Sequence, residues 1–567
     1  MKKLIHVYLY PKRFSMLLCF IIKFSGTIVE LLLPWMLSVI LDKHAPQKDL
    51  NNVFLWGFFM ILTAASALIL NILANRLATK VSRDVIQLLR YDLFYKTKNL
   101  SSDQQDKITT PSLISRLTSD TYNVYQMIDR MQRLGVRAPI LLIGGTFVTF
   151  LLEPILTLVL IVIMPLLGFL IFWISHKGIT LFTSAQQALD NMVLHAQESM
   201  NGIRVIKALS KDEYEINQFS TINTQATQSE SKANMITNLS NPIMNLLLNI
   251  GLSLVILIGA YRVNTGIIMP GIIIAFLSYF TLILTALMMI SRMFVMFSKG
   301  VASANRISQV LDLEESPIIK ALPTIQSDDH IYFDHVSFSY EKVKDTVSDI
   351  HFHLKRGETL GILGPTGSGK STIINLLLRF YDPDHGNIYI NGENLQSIPF
   401  SKLYQFFGVV FQNDFLYAQT LANNIDFGRN LSNEDLQNAI QIAQADFINQ
   451  NGLDANLTSK GTNLSGGQKQ RLLISRAVAA NPSILILDDS SSALDYKTDA
   501  ALRKALATKL PTTTKIIVAQ RISSIKNANQ IMLLDNGKIG ALGTHKELMK
   551  TNTMYQRIAD AQMKEVE

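Results

Sequence analysis

Cysteine is almost absent: Cys19 is the only one in 567 residues. One thiol excludes a disulfide framework within the chain. Charge is scarce too. Only 17% of residues are Asp, Glu, Lys or Arg, against about 25% in an ordinary soluble domain. A disordered chain is excluded by the apolar content, which can bury ample core. Apolar residues fill the gap, with 48% hydrophobic and a mean hydropathy of +0.22. Such a chain is too apolar for an ordinary soluble enzyme and too polar to be embedded throughout. A membrane half joined to a soluble half resolves the conflict. The length allows about three to four domain-sized units at ~150 residues each.

The apolar residues gather in six stretches before residue 300, at about 15–41, 53–75, 138–153, 155–175, 241–261 and 268–291. Most approach or exceed the ~20 residues of a spanning helix. Glu153 and Pro154 alone separate the third from the fourth, which predicts a tight hairpin. Long polar segments lie at about 76–137 and 176–240. The first holds Arg76, Lys80, Arg83, Arg90, Lys96, Lys98, Lys107, Arg116, Arg130, Arg133 and Arg137. The positive-inside rule puts the N-terminus, both long segments and the C-terminal half in the cytoplasm. The net charge of +8 and pI of about 9.2 are therefore assigned mainly to topology in a plasma membrane, and no nucleic-acid partner is expected. Helix-friendly composition predicts that the membrane helices continue into water.

Glu30 lies inside the first stretch, with Lys23 seven residues earlier on nearly the same helix face. An ionisable residue at membrane depth marks a candidate functional site, so Glu30 is a candidate substrate contact. The bland reading is helix packing or snorkelling. Met288, Met289, Met293 and Met296 cluster near the sixth stretch. Flexible thioethers suit either a promiscuous apolar pocket or ordinary core filling.

After residue 300 the spanning pattern stops. The expected division is a membrane domain over 1–300, a linker over 301–328 and a soluble α/β domain over 329–567. The motif Gly364-Pro365-Thr366-Gly367-Ser368-Gly369-Lys370-Ser371 fits G-x-x-x-x-G-K-[ST]. The apolar run Thr359–Leu363 before it predicts a strand, and Thr372–Leu378 after it predicts a helix. That strand–loop–helix order is the context of a phosphate-binding loop. Its glycines let N–H groups converge on phosphate oxygens at a helix N-terminus. Lys370 reaches the β- and γ-phosphates in this scheme, and Ser371 holds Mg²⁺. A buried-strand run Ile484–Leu487 ends in Asp488-Asp489. An acid at the carboxyl end of a parallel strand sits where ligands bind, which places Asp488 to hold Mg²⁺.

With these residues in place, nearly the whole chain resembles a half-transporter of the ATP-binding cassette superfamily, in particular the degenerate-site subunit of bacterial heterodimeric multidrug exporters. The implied fold is an α-helical membrane domain of six transmembrane helices, exporter type, followed by an α/β P-loop nucleotide-binding domain. Leu464-Ser465-Gly466-Gly467-Gln468 matches the family signature. Tyr340 matches the aromatic that stacks on adenine, Gln412 the Q-loop glutamine that meets Mg²⁺, and Ser492-Ala493-Leu494-Asp495 the D-loop. Thr372 belongs with the nucleotide contacts. Leu113–Asp120 and Glu198–Lys207 resemble the two intracellular loops. The resemblance implies ATP and Mg²⁺ as cofactors and a head-to-tail pair of cassettes. Each ATP then lies between one subunit's phosphate loop and the other's signature. One cassette per chain implies a second half-transporter as partner.

The segment Thr458-Ser459-Lys460-Gly461 lacks the glutamate usual before the signature, and two positions of the ATP site also depart from the family pattern. The residue after the Mg²⁺ aspartate is usually a glutamate acting as general base; here it is the shorter Asp489. The switch-loop histidine is replaced by Gln520, which donates a neutral hydrogen bond but carries no charge. Both fall on this chain's own ATP site, whereas the signature, which serves the partner's site, is intact. The pattern predicts a heterodimer whose own site binds MgATP and hydrolyses it slowly. The alternatives are a homodimeric lipid or peptide exporter in which Asp489 suffices, and an ATP-binding membrane regulator that does not transport. Family analogy, Glu30 and the methionines suggest amphipathic or hydrophobic substrates.

Overall fold

The computed structural model describes residues 4–314 and 319–564. The chain forms two compact units. One comprises residues 1–99 and 109–314, the other residues 100–108 and 315–567. The short segment 100–108 thus groups with the C-terminal unit.

The first unit is helical. Its long helices are α1 (Arg13–Val39), α2 (Leu50–Lys98), α3 (Thr121–Leu152), α4 (Pro154–Asn201), α5 (Asp212–Asn238), α6 (Ser240–Asn264) and α7 (Pro270–Leu311). Among the described residues, five helices are long and apolar enough to cross a membrane: Ile5–His44, Leu50–Lys98, Thr110–Leu152, Pro242–Asn264 and Pro270–Leu311. Helix α4 spans 48 residues and opens with the apolar run Pro154–Leu170. The hairpin turn is a single extended residue, Glu153, with Pro154 opening α4, where a proline costs no backbone bond. The 49 residues of α2 rise about 74 Å at ~1.5 Å each, far beyond the ~30 Å hydrocarbon core. The membrane helices therefore run on into water.

Small residues set how closely these helices approach. Ala67, Ala74 and Ala78 of α2 are buried. Gly26 of α1 packs so closely that a β-carbon there would stand 3.0 Å from that of Leu70. The opposite face of α2 turns Phe54, Phe58, Ile61 and Ile69 outward, a surface suited to lipid rather than water.

Among the described residues, the C-terminal unit holds two sheets. The strands are β1 (Ile331–Phe338), β2 (Val347–Leu354), β3 (Thr359–Leu363), β4 (His385–Ile390), β5 (Glu393–Asn394), β6 (Phe407–Val410), β7 (Ile484–Asp488), β8 (Thr514–Val518), β9 (Gln530–Asp535) and β10 (Lys538–Gly543). The small sheet runs β2-β1-β4-β5 and is antiparallel. The large one runs β10-β9-β3-β8-β7-β6, parallel except for the β10 edge. Every residue of β7 is buried, as expected of a parallel strand covered on both faces. The register aligns Ile362 with Val518 and Val518 with Asp488. The carboxyl ends of β3, β8, β7 and β6 therefore share one edge of the sheet, although the residues that follow them are far apart in sequence.

Candidate functional site

The loop after β3 enters helix α8 (Lys370–Leu377) through Gly369. Gly369 has φ +98°, and a β-carbon on it would come 2.6 Å from Val347 Cγ1. A β-carbon on Gly364 would stand 2.4 Å from the Leu534 carbonyl oxygen. Only glycine fits either place. Lys370 Nζ donates to the carbonyl oxygens of Gly364 at 2.8 Å and Pro365 at 2.7 Å. Its amine thus folds back over the loop, and burial lowers its pKa. Ser368 Oγ is buried without a hydrogen-bond partner. An orphaned donor in a glycine cradle at a helix N-terminus fits a phosphate ligand. Thr366 and Gly367 are exposed at the loop tip.

Ser371 Oγ donates to Asp488 Oδ2 at 3.3 Å. A hydroxyl beside a carboxylate is a hard-oxygen donor set that suits Mg²⁺. Gln412, just past β6, is exposed, and no hydrogen bond joins it to this pair. Burial raises the pKa of Asp488, opposed by the Ser371 bond. Next to it, Asp489 takes φ +51°, and its N–H donates to the Val518 carbonyl at 3.0 Å. Gln520, just past β8, donates from Nε2 to Asp489 Oδ2 at 2.8 Å. The two departures from the family pattern therefore touch each other. Burial raises the pKa of Asp489, opposed by the Gln520 bond.

Tyr340 lies beside α8. Asn375 Nδ2 donates to its hydroxyl at 3.2 Å, and that hydroxyl lies 3.5 Å from Thr372 Oγ1. Its ring meets Tyr381 edge-on, with centroids 5.0 Å apart. Tyr381 in turn donates to Asp106 Oδ2 at 2.5 Å, within the same unit.

The signature begins helix α9 (Gly466–Val478). Ser465 Oγ accepts from Gln468 N at 3.3 Å, and Gln468 Oε1 accepts from Ser465 N at 2.9 Å. This reciprocal cap fixes the helix start and leaves Ser465 and Gly466 exposed, with Leu464 packed beneath. Asp495 caps helix α10 (Tyr496–Lys509), accepting from Thr498 N at 2.9 Å. That backbone bond lowers its pKa.

Three further pairings carry no sequence signal. Gln562, on the helix Thr553–Lys564, donates to the Gln520 carbonyl at 2.7 Å and accepts from Ile522 N at 2.8 Å. One side chain thus brackets the segment that holds Gln520. In the helical unit, Glu30 Oε1 meets Arg137 Nη2 at 2.6 Å, and Lys23 donates to Asn71 and Asn75 at 2.8 and 3.1 Å. An apolar cavity of about 570 Å³ there is lined by Met16, Phe20, Met127, Met131 and Phe297, with Arg13 and Gln132 as polar neighbours. Glu30 and the Met288–Met296 group are not among its lining residues.

A glycine phosphate cradle, strand-end acids and a capped signature helix, joined to long apolar helices, define a membrane protein with a nucleotide-binding cassette. This chain belongs to the ABC transporter family. Residues 16–287 match the family's ABC transporter transmembrane region, and residues 347–492 match its ABC transporter domain. An uncharacterized ABC transporter ATP-binding protein of Bacillus subtilis, YfiB, is 34% identical over 98% of this chain and 97% of its own length. YknU of the same organism is 33% identical over 84% of this chain and 83% of its own. Rv1273c of Mycobacterium tuberculosis is 29% identical over 98% and 97%. The fold is similar to that of a bacterial Atm1-family ABC exporter with ATP bound, at TM-score 0.83 and 22% identity, covering 97% of this chain and 98% of that one. The chain thus combines a helical ABC membrane domain with an ATP-binding domain in one half-transporter.

Proposed function

We propose that this chain is one subunit of a heterodimeric exporter in the plasma membrane, with the N-terminus and the ATP-binding domain in the cytoplasm. Its own site binds MgATP through Lys370, Ser371, Asp488 and the loop N–H groups, and hydrolyses it slowly. Its signature, Leu464–Gln468, completes the partner's site. ATP held between each phosphate loop and the opposing signature would bring the two cassettes together, and its hydrolysis would let them part. The observation that carries the reading is the 2.8 Å bond between Gln520 and Asp489. A general base must meet its water at about 2.6–3.2 Å. Here the acid is one methylene short and shares an oxygen with a neutral amide.

The substrate class is amphipathic or hydrophobic small molecules. The apolar cavity of about 570 Å³ supports this, since ligand pockets run roughly 300–1,000 Å³ with few polar groups. Asp489 has its pKa raised by burial, and this favours the homodimer as second reading, since a stronger base could serve both sites. The experiment compares ATPase activity and efflux for this chain alone, for a half-transporter carrying the glutamate and histidine, and for the pair. The heterodimer reading expects activity in the pair, little in this chain alone, and ATP-dependent efflux from the pair only.

A further inference from the structure

Five of the chain's ten histidines, His330, His335, His351, His353 and His385, fall on or beside the small antiparallel sheet. The backbone treats two of them unusually. β1 should alternate between inner and outer faces. Phe333 pairs with Phe352 and Val336 with Ile350, and all four are buried. Between these pairs the register slips, so Asp334 and His335 together oppose the single residue His351. This is a β-bulge, a device that re-aims side chains. His335 takes φ +49° within it, an uncommon conformation for any residue but glycine. One donor atom from each of Asp334, His335 and His351 then lies within 4.8 Å of the others.

Neighbouring groups already orient these donors. Asp349 Oδ1 lies 2.5 Å from His335 Nδ1. Tyr332 donates its hydroxyl to Asp334 Oδ1 at 3.1 Å, and its ring meets His351 edge-on at 5.7 Å. The two imidazoles stack with centroids 4.6 Å apart, and a rotation of one ring about its Cβ–Cγ bond is needed to turn both nitrogens onto a common ion. A carboxylate on one ring nitrogen of a histidine is the usual support of a metal ligand, because it fixes the tautomer and presents the other nitrogen.

We propose that Asp334, His335 and His351 form a binding site for a divalent transition-metal ion of the zinc type. Two imidazoles and one carboxylate suit zinc and its neighbours, whereas Mg²⁺ and Ca²⁺ demand oxygen ligands. The ion joins β1 to β2. The loop between those strands carries Tyr340, so the metal staples the hairpin that presents this aromatic. The site uses none of the residues assigned to nucleotide.

The test titrates Zn²⁺ alone into the full-length protein in detergent, prepared without a polyhistidine tag, stripped by chelator and free of nucleotide and magnesium. Calorimetry should show one saturable equivalent per chain. His335→Ala with His351→Ala should abolish it, Asp334→Asn should weaken it about tenfold or more, and His353→Ala should leave it intact. Unfolding temperature and ATP affinity, measured without zinc, establish that each variant is folded. Should the double variant fail that check, His351→Gln alone carries the test with the same loss expected. No saturable binding to the wild type, or unchanged binding in the folded ligand variants, overturns the proposal. Loss of the zinc equivalent in His353→Ala alone overturns it as well.

Discussion

Replacing Asp489 with glutamate and Gln520 with histidine addresses the bond at the centre of the ATP site. At present Gln520 Nε2 holds Asp489 Oδ2 at 2.8 Å, and burial keeps the Asp489 pKa raised. One added methylene extends the carboxylate by about 1.5 Å. A misplacement of about 1 Å can itself cost about 10²-fold in rate. Histidine restores a group able to carry charge where the amide cannot. Loss of a general base typically costs about 10²–10⁴-fold, which is roughly 2.7–5.5 kcal/mol of barrier. The double substitution should therefore raise turnover at this site by about 10²-fold or more. The assay is phosphate release by the assembled pair, with the partner's catalytic glutamate removed so that only this site reports. ATP affinity is measured alongside, and each single substitution is run for comparison. An unchanged rate at unchanged affinity refutes the claim that the short acid and the neutral amide limit this site.

Ser465→Ala removes the hydroxyl that accepts from Gln468 N at 3.3 Å. It should cost about 1 kcal/mol of helix capping and depress the partner's ATPase while this chain's ATP affinity holds; full retained activity would contradict the head-to-tail assignment. Gly369→Ala forces a side chain onto φ +98° and toward Val347, a backbone strain of about 1–3 kcal/mol before the contact is counted. Thermal unfolding and ATP binding should both show the loss. His330 is buried against Thr514 Oγ1 at 2.6 Å, and burial pushes its pKa down to about 4. It stays neutral when folded but takes up a proton near pH 6.5 when unfolded. Its share of stability is therefore full above pH 6.5 and is lost as pH falls toward 4, roughly 3 kcal/mol in all. His330→Gln should flatten that acid limb in denaturant titrations at stepped pH, and an unaltered limb would exclude His330 as its source.

Local patterns were legible in the sequence, and long-range pairings were not. The run Thr359–Leu363 followed by Gly364–Ser371 reads directly as strand, loop and helix, and the structure has β3 and α8 there. The spacing from Ser465 to Gln468 is that of a capping box, and both reciprocal bonds are present. Asp488 closes β7 as its apolar run implies. By contrast, composition counts Arg137 with a basic cytoplasmic segment, yet helix packing turns it onto Glu30, 107 residues away. Arg262 likewise pairs with Glu153 at 3.0 Å. Such pairs depend on which helix faces meet, and periodicity within one helix does not carry that information. The same holds for Gln562 over the Gln520 segment, and for residues 100–108 grouping with the cassette. The bulge at Asp334-His335 is a register slip between two strands, so neither strand alone reveals it.

The most direct measurement is the ATPase rate of this purified chain alone, set beside that of the chain co-expressed with a half-transporter that carries the glutamate and histidine. The account predicts that the single chain binds ATP with little turnover and that the pair hydrolyses it readily. Vigorous hydrolysis by this chain alone would contradict it.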